Sequence, residues 1–205
     1  MSGKQHWQQV YSTRSTDQVG WYAPHLTTSI KWITGLDLDP DDPVIDVGGG
    51  ASTLADDLLD KGYREVSVLD LSDSAISVVR KRLGTRASQV SWLLGDVTEV
   101  ELPASHFELW HDRAVFHFLV EPGQQMKYRD KLLHALKPGG HFIIGVFELE
   151  APPQCSGLPV QRYSVEKLSA IFGAKFKLER HHKEIHKTPS GVEQQYLYCQ
   201  FQRTA

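Results

Sequence analysis

The 205-residue chain is 40% hydrophobic and 23% charged, with a formal net charge of −3. This length and composition suffice for one sizeable hydrophobic core, so we expect a single domain over residues 1–205. The small negative charge and the absence of a long Lys/Arg run argue against nucleic acid as a partner. No stretch approaches the roughly 20 apolar residues of a membrane span, and residues 1–7 contain no apolar signal segment. We therefore expect a cytoplasmic protein without membrane contact; the sequence does not indicate its oligomeric state.

Residues 1–40 differ in composition from the rest of the chain and precede the first strand. They carry five large aromatic residues among polar ones: Trp7, Tyr11, Trp21, Tyr22 and Trp32. One interpretation is a helix or two packed on the edge of a sheet, because aromatic side chains bury a large area. The other is a lid over a ligand pocket, in which Trp21 and Tyr22 would offer an aromatic face to a cation. We expect this segment to cap a ligand-binding core over residues 41–205.

A glycine-rich loop follows the first predicted strand. Residues 44–53 read Val-Ile-Asp-Val-Gly-Gly-Gly-Ala-Ser-Thr, an apolar strand that runs into glycines and then a helix. Gly48, Gly49 and Gly50 permit a sharp turn and a close approach of the backbone to a ligand. Asp70 ends a second strand twenty residues later and can accept hydrogen bonds from ribose hydroxyls. The spacing predicts a pocket for a nucleotide-type cofactor.

The loop also indicates which cofactor this is. It lacks both the G-x-G-x-x-G pattern of dinucleotide sites and the Gly-Lys-Ser/Thr of phosphate-binding loops. Asp46, two residues before the first glycine, faces the same crevice, where it would repel a pyrophosphate and attract an ammonium. S-adenosylmethionine carries an α-amino group and no phosphate, so it fits this loop.

Further along, apolar strands alternate with helical patterns, which predicts a parallel sheet covered on both faces. One helix should follow the N-cap residue Ser72, and another should begin at Pro122 with Met126 facing inward. Residues 137–140, Lys-Pro-Gly-Gly, should end that helix and lead into a strand over residues 141–147.

The last third of the chain has a different pattern. A short helix is predicted over residues 165–172, followed by two long strands over residues 176–186 and 193–201. The sequence Pro-Ser-Gly lies between these strands, at residues 189–191, and is typical of a turn. We therefore expect a C-terminal hairpin.

Taken together, these segments resemble the class I S-adenosylmethionine-dependent methyltransferases over most of the chain. The resemblance implies an α/β fold: a Rossmann-like sheet of seven mostly parallel strands with a C-terminal antiparallel hairpin and helices on both faces. The matching segments, in order, are residues 44–53, 68–71 (Val-Leu-Asp-Leu), 95–97 (Gly-Asp-Val), 107–112 with 113–119, and 136–140 (Leu-Lys-Pro-Gly-Gly).

The same resemblance implies S-adenosylmethionine as cofactor and assigns residues to it. Asp70 and Leu71 would lie at the ribose, and Asp96 and Val97 at the adenine. In similar small methyltransferases the N-terminal segment folds over the methionine end of the cofactor. Arg14 would then either meet the cofactor carboxylate or stay solvated.

Catalytic candidates follow the fourth predicted strand, at the carboxyl end of the sheet where open α/β folds bind ligands. Methyl transfer mainly requires that donor and nucleophile be held in line, but the nucleophile must be deprotonated. Asp112 and His117 are therefore our candidates for a base. Alternatively, Asp112 caps a turn or pairs with Arg113, and His117 packs against Phe116 and Phe118.

Three function classes remain open at this stage. The first is transfer to a small-molecule nucleophile, which an enclosed aromatic pocket would favour. The second is methylation of protein lysine, since the chain also resembles the citrate synthase lysine methyltransferase group in motif order and size; an open or acidic channel would favour it. The third is a cofactor-binding module without catalysis, which a blocked channel would favour.

The cysteines and histidines suggest no metal site. Cys155 and Cys199 are too few for a zinc framework, and His181 points away from His182 and His186 if this segment is a strand. The two thiols could hold a soft acceptor such as a metalloid only if the sheet brings them together. Otherwise they are ordinary packed thiols.

Overall fold

The computed structural model describes residues 3–13 and 15–204, without the side chain of residue 16. Arg14, which we considered for the cofactor carboxylate, lies outside the described residues. The helices are α1 (Gly3–Thr13), α2 (Thr27–Thr34), α3 (Leu54–Asp60), α4 (Asp73–Leu83), α5 (Pro122–Ala135) and α6 (Val165–Phe172). The strands are β1 (Val44–Val47), β2 (Val66–Asp70), β3 (Val90–Leu94), β4 (Phe107–Arg113), β5 (Leu136–Phe147), β6 (Gln154–Cys155), β7 (Leu158–Pro159), β8 (Phe176–Lys187) and β9 (Glu193–Arg203).

Seven strands form one sheet in the order β3-β2-β1-β4-β5-β9-β8. The first five are parallel to each other, and β9 pairs antiparallel with both β5 and β8. This confirms the predicted sheet and its C-terminal hairpin. The order of the strands reverses between β1 and β4, whose carboxyl ends lie side by side because Val47 pairs with Asp112. Open α/β sheets bind their ligands in the crevice at such a switch point.

The predicted helix ends are largely confirmed, with one difference at α5. Ser72 caps α4 by accepting a hydrogen bond from the backbone N–H of Ala75, 3.3 Å away. Helix α5 ends at Ala135, and Leu136 already belongs to β5 with an extended backbone, φ −77° and ψ 138°. Lys137, the residue before Pro138, is also disfavoured in helical geometry, so the helix cannot continue there. Residues 137–140 form a bulge within β5 rather than a turn before it. Met126 is 53% exposed and does not face inward as expected.

Two hydrophobic clusters cover the two faces of the sheet, because alternate residues of each strand point to opposite sides. Helices α5 and α6 cover one face, where Cys199 packs with Ile144. Helices α2, α3 and α4 cover the other, where Cys155 packs with Tyr198. The sheet therefore keeps the two thiols apart, and the metalloid pair that we considered is not formed.

Candidate functional site

The glycine loop connects β1 to α3 at the switch point and fits closely against neighbouring side chains. Gly48 has a φ of +72°, which disfavours other residues, and a Cβ there would overlap the Val115 side chain. A Cβ at Gly50 would lie 2.6 Å from Cγ of Asp70. These glycines therefore make room for side chains of the protein itself, in addition to the space for a ligand that we expected from the sequence.

Asp70 ends β2 and is held by the backbone of this loop. Its Oδ2 accepts the N–H of Gly50 at 3.0 Å, and its Oδ1 accepts the N–H of Ser72 at 2.7 Å. Burial raises the pKa of Asp70 to about 6, although the hydrogen bonds from Ser72 and Gly50 act to lower it. Each carboxylate oxygen keeps a further lone pair for a ligand.

Asp96 follows β3 and shapes the next turn. Its Oδ1 accepts hydrogen bonds from the backbone N–H of Thr98 at 2.8 Å and from the Thr98 hydroxyl at 2.7 Å. Asp70, Leu71, Asp96 and Val97 all line one cavity, which we call the main cavity. The structure therefore brings the predicted ribose and adenine residues together.

Four aromatic side chains form one side of the main cavity, and we call them the aromatic wall: Trp7, Tyr11, Trp21 and Phe118. The ring centroids of Trp7 and Phe118 are 4.9 Å apart, and those of Trp7 and Trp21 are 5.4 Å apart. Both pairs meet edge to face, which is a favourable aromatic geometry. Burial, followed by the charge of Asp70, raises the pKa of Tyr11, so its phenol stays neutral.

Helix α1 carries two members of the wall and is anchored on α4. The side-chain amide of Gln8 donates to the Ser74 hydroxyl at 2.8 Å, and the Ser72 hydroxyl donates to the Gln8 amide oxygen at 3.1 Å. The residues of α1 are half-buried or exposed. Trp7 and Tyr11 of this helix line the main cavity, and the role of the N-terminal segment as a lid stays a prediction.

An inner cavity adjoins the main cavity beneath the glycine loop, with Asp46, Gly49, Tyr22 and His111 among its lining residues. Asp46 Oδ1 lies 2.7 Å from His111 Nδ1, and His111 Nε2 lies 2.8 Å from the hydroxyl of Ser29. Asp46 Oδ2 is buried and has no hydrogen-bond partner among the described residues. A Cβ at Gly49 would overlap this oxygen, so the glycine makes room for the Asp46 side chain.

Arg113, the last residue of β4, lines both cavities. Its Nε donates to the Tyr198 hydroxyl and its Nη1 to the carbonyl of Trp21, each at 2.9 Å. Its guanidinium carbon lies 4.4 Å from the centroid of the Tyr196 ring. Burial acts to lower the pKa of Arg113, but the Tyr198 and Tyr196 phenols raise it, so the side chain stays charged.

Asp112 does not line either cavity, which corrects our expectation of a catalytic base there. It is fully buried, where its Oδ2 accepts the Tyr128 hydroxyl at 2.7 Å and its Oδ1 accepts the N–H of Val115 at 3.1 Å. Burial raises its pKa to about 6. Asp112 thus caps the turn after β4, the alternative that we had kept open.

His117 is likewise buried in the core and lines neither cavity. Its Nδ1 accepts the N–H of Phe147 at 3.2 Å, and its ring packs against Phe118 with centroids 4.6 Å apart. Burial, with the charge of Arg113, lowers its pKa to about 3, so the imidazole is neutral. The packing alternative describes His117 better than the catalytic one.

Comparisons with known proteins agree with this architecture. Residues 44–140 match the family model described as a methyltransferase domain. This match supports a class I S-adenosylmethionine-dependent methyltransferase fold for the chain. It is 24% identical over 144 residues to the eEF1A lysine and N-terminal methyltransferase of Mus musculus, an alignment that covers 67% of this chain. The chain spans 20% of the length of that curated relative.

Two solved structures share the fold of this chain. The first, reported for the conversion of a disulfide bond into a thioacetal group during echinomycin biosynthesis, has a TM-score of 0.80 at 20% identity. It covers 99% of this chain and 92% of its own. The second is the Burkholderia thailandensis 1,6-didemethyltoxoflavin-N1-methyltransferase with bound 1,6-didemethyltoxoflavin and S-adenosylhomocysteine. Its TM-score is 0.69 at 19% identity, over 98% of this chain and 84% of its own.

The residues of the candidate site fit S-adenosylmethionine. The unpartnered Oδ2 of Asp46 suits the ammonium of the methionine moiety, because a buried carboxylate oxygen is costly without a donor. The carboxylate of Asp70 suits the ribose hydroxyls. Within the described ranges, no helix has the length and apolar character needed to cross a membrane, and no cluster of His, Cys, Asp or Glu side chains could hold a metal ion.

Sequence reasoning did not identify Ser29 or the aromatic partners of Trp21. Ser29 lies in α2, and Trp7 and Tyr11 lie in α1, far in sequence from the glycine loop. The one available signal was the aromatic composition of residues 1–40. It indicated a lid but could not distinguish which rings reach the cavity.

Proposed function

We propose that this protein transfers a methyl group from S-adenosylmethionine to a small-molecule nucleophile. The observation that carries the proposal is the aromatic wall. Its rings come from α1, the Trp21 segment and the turn after β4, and they line the same cavity as Asp70 and Asp96. A cavity lined by four aromatic rings suits the flat apolar body of a compact acceptor.

The roles of the residues follow from their positions. The cofactor supplies an electrophilic methyl group on a sulfonium. Asp46 would hold the ammonium, Asp70 the ribose and Asp96 the adenine, which fixes the direction of the methyl group. Trp21, which lines both cavities, would present its ring to the positive sulfur and exclude water. The main contribution of the chain is therefore positioning and desolvation.

The cavity offers no obvious general base to the acceptor. Tyr11 has a raised pKa, and Asp46, Asp70 and Asp96 are assigned to the cofactor. The acceptor must therefore bring its own reactive lone pair. A thiol, which is partly ionised near neutral pH, or a neutral ring nitrogen suits this site better than an alcohol.

Protein lysine methylation is the second candidate. The sequence relation to the eEF1A lysine and N-terminal methyltransferase favours it. Against it stands the charge of Arg113, which lines the main cavity and would repel a lysine ammonium.

Incubation with methyl-labelled S-adenosylmethionine and two separate acceptor pools, lysate protein and small metabolites, tests the proposal. We expect the label in the small-molecule pool. The Asp70→Ala variant serves as the control for background labelling, because it should lose cofactor affinity. Label found in the protein pool would support the second candidate and contradict the first. Label in neither pool would favour a binding module without catalysis.

A further inference from the structure

Arg113 has no directly paired carboxylate: none of the ion pairs among residues 3–13 and 15–204 includes it. Glu184 on β8 acts on the charge of Arg113 without forming an ion pair with it, and its Oε2 accepts a hydrogen bond from the Thr28 hydroxyl. A half-buried guanidinium usually has an anionic partner, because desolvation of a lone charge is costly.

The fold provides space for the extended Arg113 side chain. Arg113 pairs with Gly145 of β5, and Gly145 pairs with Tyr198 of β9, so the three residues lie in one row across the sheet. A Cβ at Gly145 would lie 3.2 Å from the Tyr198 ring and 3.3 Å from Cγ of Arg113. The glycine in the middle strand lets the arginine reach the Tyr198 hydroxyl. This bond and the one to Trp21 use two of five guanidinium N–H donors.

We propose that Arg113 anchors an anionic group of the methyl acceptor, with a carboxylate as the best match to its planar fork of donors. The inference rests on the proposed function and specifies its substrate class. Since Arg113 and the aromatic wall line the same cavity, the acceptor combines a flat apolar body with an anion.

The position of Arg113 favours the acceptor over the cofactor as the source of this anion. The guanidinium packs on Tyr196 and bonds to Tyr198, both on β9. The residues assigned to the cofactor lie at the ends of β1, β2 and β3, on the other side of β4. The side-chain contacts of Arg113 therefore lie toward β9, while its place in the lining of both cavities keeps it in contact with a ligand there.

Electrostatic interactions also favour an anionic acceptor. The sulfonium of the cofactor and Arg113 both carry positive charge, so an ammonium acceptor would meet two like charges and an anionic one would be attracted. During transfer the bond between sulfur and methyl breaks with its electron pair left on sulfur, and a bond from methyl to the nucleophile forms. The anchored carboxylate takes no part in this exchange and stays on Arg113.

Calorimetric titration of the S-adenosylhomocysteine-saturated protein with benzoate and with benzamide tests the anchor without requiring turnover. These probes share one shape and differ in charge. We expect wild type to bind benzoate at least tenfold more tightly than benzamide, Arg113→Gln to lose this preference, and Arg113→Lys to keep part of it. Arg180→Gln is the matched control. The guanidinium carbon of Arg180 lies 4.5 Å from the centroid of the Trp32 ring, so this arginine also stacks on an aromatic ring, but it lines neither cavity.

Two results would overturn the proposal. One is equal or absent binding of both probes to wild type, a measurement that does not depend on any variant folding. The other is a tenfold or larger loss of affinity for S-adenosylhomocysteine in Arg113→Gln while the affinity for methylthioadenosine stays unchanged. Because methylthioadenosine lacks the amino-acid tail, this result would mean that Arg113 binds the carboxylate of the cofactor. If wild type prefers benzoate to benzamide but the labelling assay yields no labelled small molecule, Arg113 still anchors an anion and the proposed function is rejected instead.

Discussion

The two ends of the main cavity are built in different ways. At the end that we propose for the cofactor, which we call the cofactor end, Asp70 and Asp96 each accept hydrogen bonds from residues of adjacent loops, including the N–H groups of Gly50 and Thr98. At the end that we propose for the acceptor, which we call the acceptor end, the aromatic wall comes from α1, the Trp21 segment and the turn after β4, and Arg113 of β4 contacts side chains of β9. The first end is fixed by short loops between strands, and the second by packing between distant segments.

This difference has a consequence for function. The cofactor end offers negative charge to hydroxyl and amino groups, whereas the acceptor end offers one positive charge and apolar rings. Changes at the two ends should therefore have separable effects, on cofactor affinity in the one case and on acceptor recognition and turnover in the other. The predictions that follow test this separation.

The largest effect is expected from Gly48→Ala, which alters the turn shared by both cavities. Gly48 has a φ of +72°, and the added methyl would overlap Val115. The strained backbone costs about 1–3 kcal/mol, and the overpacking costs a similar amount. Chemical denaturation should show this loss in the free energy of unfolding. Gly62→Ala is the control for backbone strain alone, since Gly62 also has a positive φ but no neighbour within 4 Å. If both variants lose the same free energy of unfolding, the overlap with Val115 contributes nothing to the effect.

Asp70→Ala should weaken the cofactor end specifically. Removal of a buried acceptor costs about 1–3 kcal/mol, which is roughly a five- to hundredfold loss of affinity for S-adenosylhomocysteine in calorimetry. Asp130→Ala, which removes an exposed carboxylate on α5, is the control. Unchanged affinity in Asp70→Ala would contradict the ribose assignment.

A smaller, pH-dependent effect is expected from Asp112→Asn. The folded-state pKa of about 6 lies above the ordinary value of 3.8, so the folded state holds this proton more tightly than the unfolded state. The contribution of Asp112 to stability is therefore present below about pH 4 and falls as the pH rises to about 6, by on the order of 2 kcal/mol. The difference in unfolding free energy between wild type and variant should shrink accordingly between pH 4 and 7. If the difference in unfolding free energy between wild type and Asp112→Asn does not change with pH, the pKa of Asp112 is not raised in the folded state.

The sequence predicted for a physical reason that the residues of the proposed cofactor end lie together. A strand, a glycine turn, a helix and an acid twenty residues later are local features, so Gly48, Gly50 and Asp70 could be placed before their contacts were known. The acceptor end could not be placed this way. Whether Arg113 points toward the cavity depends on its face of β4 and on the glycine that opposes it in β5.

Asp112 and His117 illustrate the same limit. Both lie at the carboxyl end of the sheet, where catalytic groups are common, but Asp112 points to the face covered by α5, and His117 packs between Phe147 and Phe118. Position along a strand indicates the correct edge of the sheet. It does not indicate which groups the turn directs into the cavity.

The most direct test of the separation compares Trp7→Ala with Asp70→Ala in two assays, binding of S-adenosylhomocysteine by calorimetry and methyl transfer to the small-metabolite pool. Trp7 belongs to the aromatic wall and contacts Phe118 and Trp21. Its loss should admit water and lower turnover about tenfold or more, while cofactor affinity changes by less than the loss in Asp70→Ala. Full turnover in Trp7→Ala, or a loss of cofactor affinity as large as that in Asp70→Ala, would contradict the account of two separate ends.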